Sequence, residues 1–310
     1  MLPYFPFGQQ FNDKMGTMPL TNRDRFIDVD DHYQSEVALK RQLLQELPAY
    51  YFQSAPVQDL AQWEVVDLIL NNLASAYPDT FRLQCEGDQW LWQNSLLNEE
   101  TSFTFGDSAT LPYAPLDWVG RQLQEDLLLL SGDSANLVAG QLCFGNGWSL
   151  DEKMGLPFWE IHAPINPIVE PMMRSAQKLM ERLPAGKPIW RLNWSIKASD
   201  QLDMTSRHTP ALNQHLNDCL PDINAENAGD HLFIRIERQI LSRLRESKAI
   251  LFSIHTYQNL VSRERSERPQ SASLISQVLR TTPEAMLAYK GITPYFNHLI
   301  NYLNTGTITN

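Results

Sequence analysis

Cysteine is scarce in this chain, and long apolar runs are missing. Cys85, Cys143 and Cys219 are an odd number of thiols at wide spacings, which excludes a disulfide framework and a CxxC metal knuckle and points to a reducing, cytoplasmic setting. No uncharged apolar stretch approaches the roughly 18 residues of a spanning helix. Met1 to Gln10 is aromatic and proline-containing, without the basic region and apolar run of a secretory signal. GxSxG, P-loop, HExxH and EF-hand patterns are all missing. Gly145-Asn146-Gly147 follows an expected strand, but the third glycine of a dinucleotide fingerprint would fall at Leu150, so a turn is the better reading. Basic residues are scarce in one half only. Residues 1–150 carry 20 acids and 7 bases, against 16 acids and 18 bases in the remainder. A net charge of −11 without a basic stripe disfavours nucleic acid and leaves room for a cationic ligand or a basic partner.

The apolar content, 43%, is that of a folded protein, and 310 residues allow one large domain or two ordinary ones. Helices are expected over about 31–47, capped by Asp30-Asp31, and over a stripe of Leu60, Trp63, Val66, Leu70 and Leu73. Phe81 to Glu86, Trp90 to Asn94 and Thr101 to Phe105 form a short meander. A helix over about 118–130 then leads into a strand over 136–144, and another helix covers 168–183. Pro188 to Lys197 alternates cleanly, with Trp190, Leu192, Trp194 and Ile196 opposite Arg191, Asn193, Ser195 and Lys197. His231 to Glu237 and Ala249 to Tyr257 are further strands, Ser262 to Ser273 is a connector, and Thr282 to Lys290 is a short helix. Strands flanked by helices without regular βαβ alternation give α+β with a mostly antiparallel sheet.

Seven histidines are scattered, with no zinc-ligand spacing. Haem brings its own four equatorial ligands and needs one protein side chain, so scattered histidines do not exclude it. His162 lies in Trp159-Glu160-Ile161-His162-Ala163-Pro164, a strand-like segment stopped by proline. On pattern alone such a residue is more often a hydrogen-bonded core histidine than a ligand. Cys143, in Leu142-Cys143-Phe144-Gly145, reads as a buried apolar cysteine. Arg191, Asn193, Arg235, Glu237 and Arg238 gather on strong strands, all but Arg238 on polar faces. They make either a solvated face with cross-strand ion pairs or an anion pocket with arginine forks.

Several blocks together resemble the haem-dependent oxidative N-demethylases. They are Gln124-Glu125-Asp126-Leu127; Ala139-Gly140-Gln141-Leu142-Cys143-Phe144 with Trp148; Glu152-Lys153-Met154-Gly155; Ile161-His162-Ala163-Pro164; Arg191-Leu192-Asn193-Trp194; Arg235-Ile236-Glu237-Arg238-Gln239; and AILFSIHTY from Ala249 to Tyr257. Ala288-Tyr289-Lys290-Gly291 fits as well, and the blocks run in order from about residue 18 to 303. The resemblance implies a PAS-like α+β fold with helical N- and C-terminal extensions: residues 1–55 packed on the core, a haem-binding core over 56–260, and a helical extension over 261–310, in one continuous domain. It implies haem b with His162 as proximal ligand, and Arg191, Asn193, Arg235 and Arg238 around the haem, the arginines pairing with its propionates. The implied reaction is O₂-dependent demethylation of a small secondary amine such as dimethylamine. Electrons would come from a separate flavin and iron-sulfur reductase fed by NAD(P)H. Asp126, Glu152 and Glu237 are the acids inside matching blocks, available for amine binding or proton delivery. A haem-binding sensor or carrier and a haem-free interaction subunit are the alternatives, since fold does not determine function. The chain departs from the family at Gly145-Asn146-Gly147, at Ile165-Asn166, and at His255, where arginine is common.

Overall fold

The computed structural model describes residues 1–12, 14, 16–21, 25–161 and 170–305, with the side chains of 170–172 left aside. The ten strands among them are β1 (Met18–Pro19), β2 (Phe52–Ser54), β3 (Phe81–Glu86), β4 (Gln89–Asn94), β5 (Glu99–Thr104), β6 (Asp126–Leu130), β7 (Leu137–Gln141), β8 (Ile189–Lys197), β9 (Phe233–Arg243) and β10 (Ile250–Leu260). The helices of the N-terminal half are α1 (Tyr33–Glu46), α2 (Pro48–Tyr51), α3 (Asp59–Ala76), α4 (Pro115–Gly120), α5 (Leu150–Lys153) and α6 (Phe158–Ile161). Those of the C-terminal half are α7 (Glu170–Arg182), α8 (Thr209–Cys219), α9 (Ala228–His231), α10 (Val261–Glu267), α11 (Ser271–Thr281), α12 (Glu284–Tyr289) and α13 (Phe296–Asn304). Seven strands form one sheet in the order β1-β8-β9-β10-β6-β7-β2, and β3-β4-β5 form a second. Every pairing between these strands is antiparallel, so the expected α+β class holds.

Alternation along the long strands assigns the two faces of the large sheet. Trp190, Ile240, Leu251, Leu127 and Leu129 face a core built with α1, α3, α4 and the small sheet. Trp194, Ile196, Ile234 and Ile236 continue that face into a second core under α9, α10, α11 and α13. Leu128, Leu130, Leu241 and Ile254 point the other way, against α7 through Met173, Ala176 and Met180.

Several boundaries differ from expectation for identifiable reasons. The helix expected over 118–130 ends at Gly120, and Asp126–Leu130 is a central strand with all five residues buried. A strand covered on both faces loses alternation, so Leu127-Leu128-Leu129-Leu130 carries no period to read. Leu60 in the first turn of α3 is 58% exposed, while Trp63, Val66, Leu70 and Leu73 are buried as expected. Helix α1 starts at Tyr33 with no side-chain cap. Asp30 instead accepts the His32 N–H at 2.8 Å, one step outside the helix. The presumed connector 262–273 is mostly α10 and the start of α11, ordered around buried Glu264, which accepts from the Leu2 N–H at 2.8 Å. The segment expected to be strand-like before His162 begins as the single turn α6.

Candidate functional site

Strand register builds a polar floor on the α7 side of the sheet. In the β8–β9 pair, Asn193 lies opposite Glu237, Arg191 opposite Gln239 and Ser195 opposite Arg235. Side chains two apart on a strand share a face, so these groups and Lys197 emerge together. Glu237 is the hub. Asn193 Nδ2 donates to its Oε2 at 3.2 Å, Gln239 Nε2 to the same oxygen at 2.9 Å, and Asn146 Nδ2 to Oε1 at 3.4 Å. Neutral amides orient the carboxylate without cancelling its charge.

Cations surround that carboxylate. Arg191 Nε is buried with no hydrogen-bond partner among the described residues, and burial draws the guanidinium pKa down while Glu237 supports it. Lys290, just after α12, donates to the Trp194 carbonyl at 2.7 Å and stands 4.4 Å over the Trp194 ring. Burial is the main cause that brings Lys290 down to about 8; Glu237 opposes the fall, while Arg191 and Lys197 add to it. Lys197 Nζ reaches the Lys290 carbonyl at 3.4 Å and is likewise lowered by burial and by Arg235.

These groups form one end of a cavity of about 1140 Å³. That is larger than the roughly 300–1,000 Å³ of ordinary small-molecule sites. Its floor continues as Leu241, Phe252, Ile254 and Leu128, and Met173 and Met180 of α7 face them. The remaining walls come from the Gly145–Trp148 turn, from Met286 and Tyr289 of α12, and from an N-terminal stretch that includes Phe7 and Phe11. Phe7 packs on Trp194 with ring centroids 5.0 Å apart, and the Phe11 N–H donates to Thr281 Oγ1 at 2.8 Å.

The structure distributes the expected site residues unequally. Arg191, Asn193 and Glu237 line the cavity together, and Glu152 stands exposed at its rim. Arg235 shares their face but turns inward, donating to the carbonyls of Phe144 at 2.6 Å and Leu202 at 3.2 Å. Arg238 projects from the opposite face, where it pairs with Asp28 at 3.4 Å and lies over the rings of Tyr4 and Trp190. Asp126 is fully buried outside the lining. Its carboxylate accepts the N–H groups of Cys143 and Phe144 at 2.9 and 2.8 Å, with Lys40 at 3.6 Å, and burial raises its pKa. Cys143 is buried outside the cavity lining, and burial pushes its thiol well above the usual value. His162 lies outside the described residues, as do Ile165 and Asn166.

Lys197, Lys290, Gln239 and Asn146 were not singled out by sequence reasoning. The alternation of β8 and β9 already placed Lys197 and Gln239 on the face of Arg191. Lys290 and Asn146 arrive from distant segments; the resemblance marks one as part of a matching block and the other as part of a departure, without giving either a role.

On the far face of the sheet, His255 is buried between carboxylates. Its Nδ1 is 3.0 Å from Glu125 and its Nε2 is 3.8 Å from Asp30, and the ring stacks on Tyr257 at 4.2 Å. Burial alone would lower its pKa, but Glu125 and Asp30 outweigh that and raise it to about 10. This network is separated from the cavity by the sheet.

Fold and site together define an α+β protein with a cofactor-sized cavity, walled largely by apolar side chains and carrying a cluster of cations around Glu237, with Lys14, Glu152 and Lys153 also in the lining. Residues 17–300 match the family model described as haem-dependent oxidative N-demethylase, alpha subunit-like, and the chain belongs to that family. The residues present fit the haem of that name. A porphyrin is a flat apolar ring with two carboxylates on one edge, and the cavity offers apolar walls with a surplus of cations at one end, including the unpartnered Arg191 Nε. Among the described lining residues there is no histidine or cysteine, but Ile161, the residue before His162, lines the cavity.

Proposed function

We propose that the chain is a haem-binding oxygenase subunit that removes a methyl group from a small secondary amine such as dimethylamine. The observation that carries this reading is the cavity, whose apolar walls converge on an amide-held carboxylate within a chain of the haem-dependent demethylase family. Haem b would be held by His162 and, when bound, supplies the capacity to activate O₂ with delivered electrons. One oxygen atom converts a methyl C–H to C–OH, and the other leaves as water with two electrons and two protons. The carbinolamine then separates into the smaller amine and formaldehyde.

This chain's own residues bind and orient the substrate. Glu237, fixed by Asn193, Gln239 and Asn146, would accept the N–H of the ammonium substrate, while Tyr289, close enough to feel the Glu237 charge, presents an aromatic ring nearby. Leu241, Phe252, Ile254 and Met180 would keep water from the reacting methyl group. Electrons are proposed to come from a separate flavin and iron-sulfur reductase using NAD(P)H, a requirement consistent with the alpha-subunit description. We also propose the PAS-like description for β6 to β10. Numbered in chain order, these strands run 2-1-5-4-3 across the sheet, with α7 packed on the cavity face. Residues 56–260 would then be the haem-binding core, to which the flanks 1–55 and 261–310 lend walls. Three unpaired cysteines support a cytoplasmic setting.

The test is spectroscopic and catalytic. The purified protein is expected to show a Soret band that His162→Ala abolishes or shifts. With reductase added it should release formaldehyde from dimethylamine, and Glu237→Gln should raise KM about tenfold or more with the spectrum intact. An unchanged spectrum in His162→Ala removes that residue as ligand, and bound haem without turnover over a panel of methylamines would instead identify a sensor or carrier.

A further inference from the structure

We propose that Arg191, Lys197 and Lys290 form a dianion site at the charged end of the cavity and that, on the haem reading above, this site takes the two propionates, leaving Arg235 and Arg238 as structural residues. With Arg235, whose Nε stands 4.0 Å from Glu237 Oε1, four cations face one carboxylate at this end, a surplus that a dicarboxylate offsets. A surplus of buried charge is costly unless a partner neutralises it. Arg191 Nε has no partner among the described residues. Lys290 spends one N–H on the Trp194 carbonyl and keeps two for a ligand. Lys197 reaches the Lys290 carbonyl and so also fixes the end of α12. The Nε atoms of Arg235 and Arg238 are also without a hydrogen bond among the described residues, but their terminal nitrogens are committed: those of Arg235 to the Phe144, Leu202 and Gln201 carbonyls, with its Nε 4.0 Å from Glu237, and those of Arg238 to Asp28, Phe26 and Arg25 on the other face, outside the cavity lining.

The arrangement has a consequence for substrate. Until a dianion is present, the surplus cations repel a protonated amine from Glu237. Loading the cofactor converts this end from anion-attracting to cation-accepting, so the cofactor must precede the amine.

A pH dependence accompanies binding. The charged and titratable groups facing Lys290 are Glu237 from β9 and Arg191 and Lys197 from β8, with Tyr289 beside it in sequence. Burial holds Lys290 near 8 in the ligand-free cavity. Propionates favour the ammonium form, so affinity is full below about pH 8 and falls as pH rises above it.

The test titrates haem-free full-length protein with haem and, separately, with haem dimethyl ester, which has the same ring but no carboxylates, and follows the Soret band. Wild type should bind the free acid more tightly. Arg191→Gln and Lys290→Gln should each weaken free-acid binding by about tenfold to a hundredfold, the worth of a charge-assisted hydrogen bond, and leave ester binding unchanged. Lys290→Arg should retain most of the affinity, and circular dichroism checks that each variant folds. The free acid alone should lose affinity above pH 8. Equal losses for both ligands, or a wild type that binds them equally, would overturn the dianion site while leaving haem binding in place. A wild type with no Soret band from either ligand overturns the haem reading itself and this site with it.

Discussion

Arg235, Glu237 and Arg238 fall within four consecutive positions of one strand and serve three separate purposes. Glu237 enters the cavity, Arg235 ties the sheet to two loops, and Arg238 closes the opposite face. Parity along the strand separates Arg238 from the others, and that much is legible in the sequence. That Arg235 satisfies backbone carbonyls is not, because its acceptors lie some 30 and 90 residues away in sequence. Asp126 was attractive as an acid within a matching block, yet it anchors backbone N–H groups. A short carboxylate beside a turn serves that purpose as readily as chemistry. His255 allows a sharper prediction. Its pKa is raised to about 10, above the usual 6.5, so its stabilising contribution is fully present below about pH 6.5 and is lost as pH rises through 10. Urea unfolding of the wild type at pH 6, 8 and 10 should show that loss. His255→Gln should flatten it and cost about 3–5 kcal/mol at pH 6, since Glu125 and Asp30 keep their burial without the cation. A variant with an unaltered pH profile would show that another group carries the dependence.

At the scale of elements, legibility follows the number of covered faces. β8 presents an apolar core on one side and a polar cavity on the other, so its alternation is plain and its bounds were read almost to the residue. β6 is buried on both sides, so its run of leucines has no alternation and reads as helix in the sequence. The meander β3 to β5 was legible because Gly87-Asp88 marks its first turn, and Gly87 adopts φ +65° there. The cavity itself was not legible, because it exists only where β8 and β9 meet α7, α12 and the N-terminal stretch. The packing of α4 on β7 is equally tertiary, and it rests on one glycine. A Cβ at Gly120 would stand 2.2 Å from the Gln141 amide. That amide donates to the Asp117 carbonyl and to Asp117 Oδ1, both at 2.8 Å. Gly120→Ala is expected to lower stability by about 1–3 kcal/mol through overpacking, measured by urea denaturation. Gln141→Ala in the same chain should then cost less than it does alone, because the clash is already relieved. Strict additivity would refute the contact.

For the whole molecule, the charge asymmetry of the sequence maps onto the two sides of the sheet. The acid-rich half builds α1, α3, α4 and the small sheet on the far face, while the cavity draws all its lining cations but Lys14 from the near-neutral half. A net charge of −11 gives a long-range field that favours approach of small cations. With a methylammonium substrate, kcat/KM is expected to fall several-fold as salt rises from about 10 to 200 mM, across which screening shortens from roughly 30 Å to under 10 Å. Rates indifferent to salt would show that the acidic half plays no part in encounter. The N-terminal stretch that walls the cavity is held by residues far along the chain: the Leu2 N–H bonds to Glu264, Arg268 donates to the Leu2 carbonyl, and the Phe11 N–H bonds to Thr281. On a ribosome, some 250 residues separate the appearance of this strap from that of its fastenings. The wall that this strap contributes is therefore fastened only after residues 264 to 281 have been made.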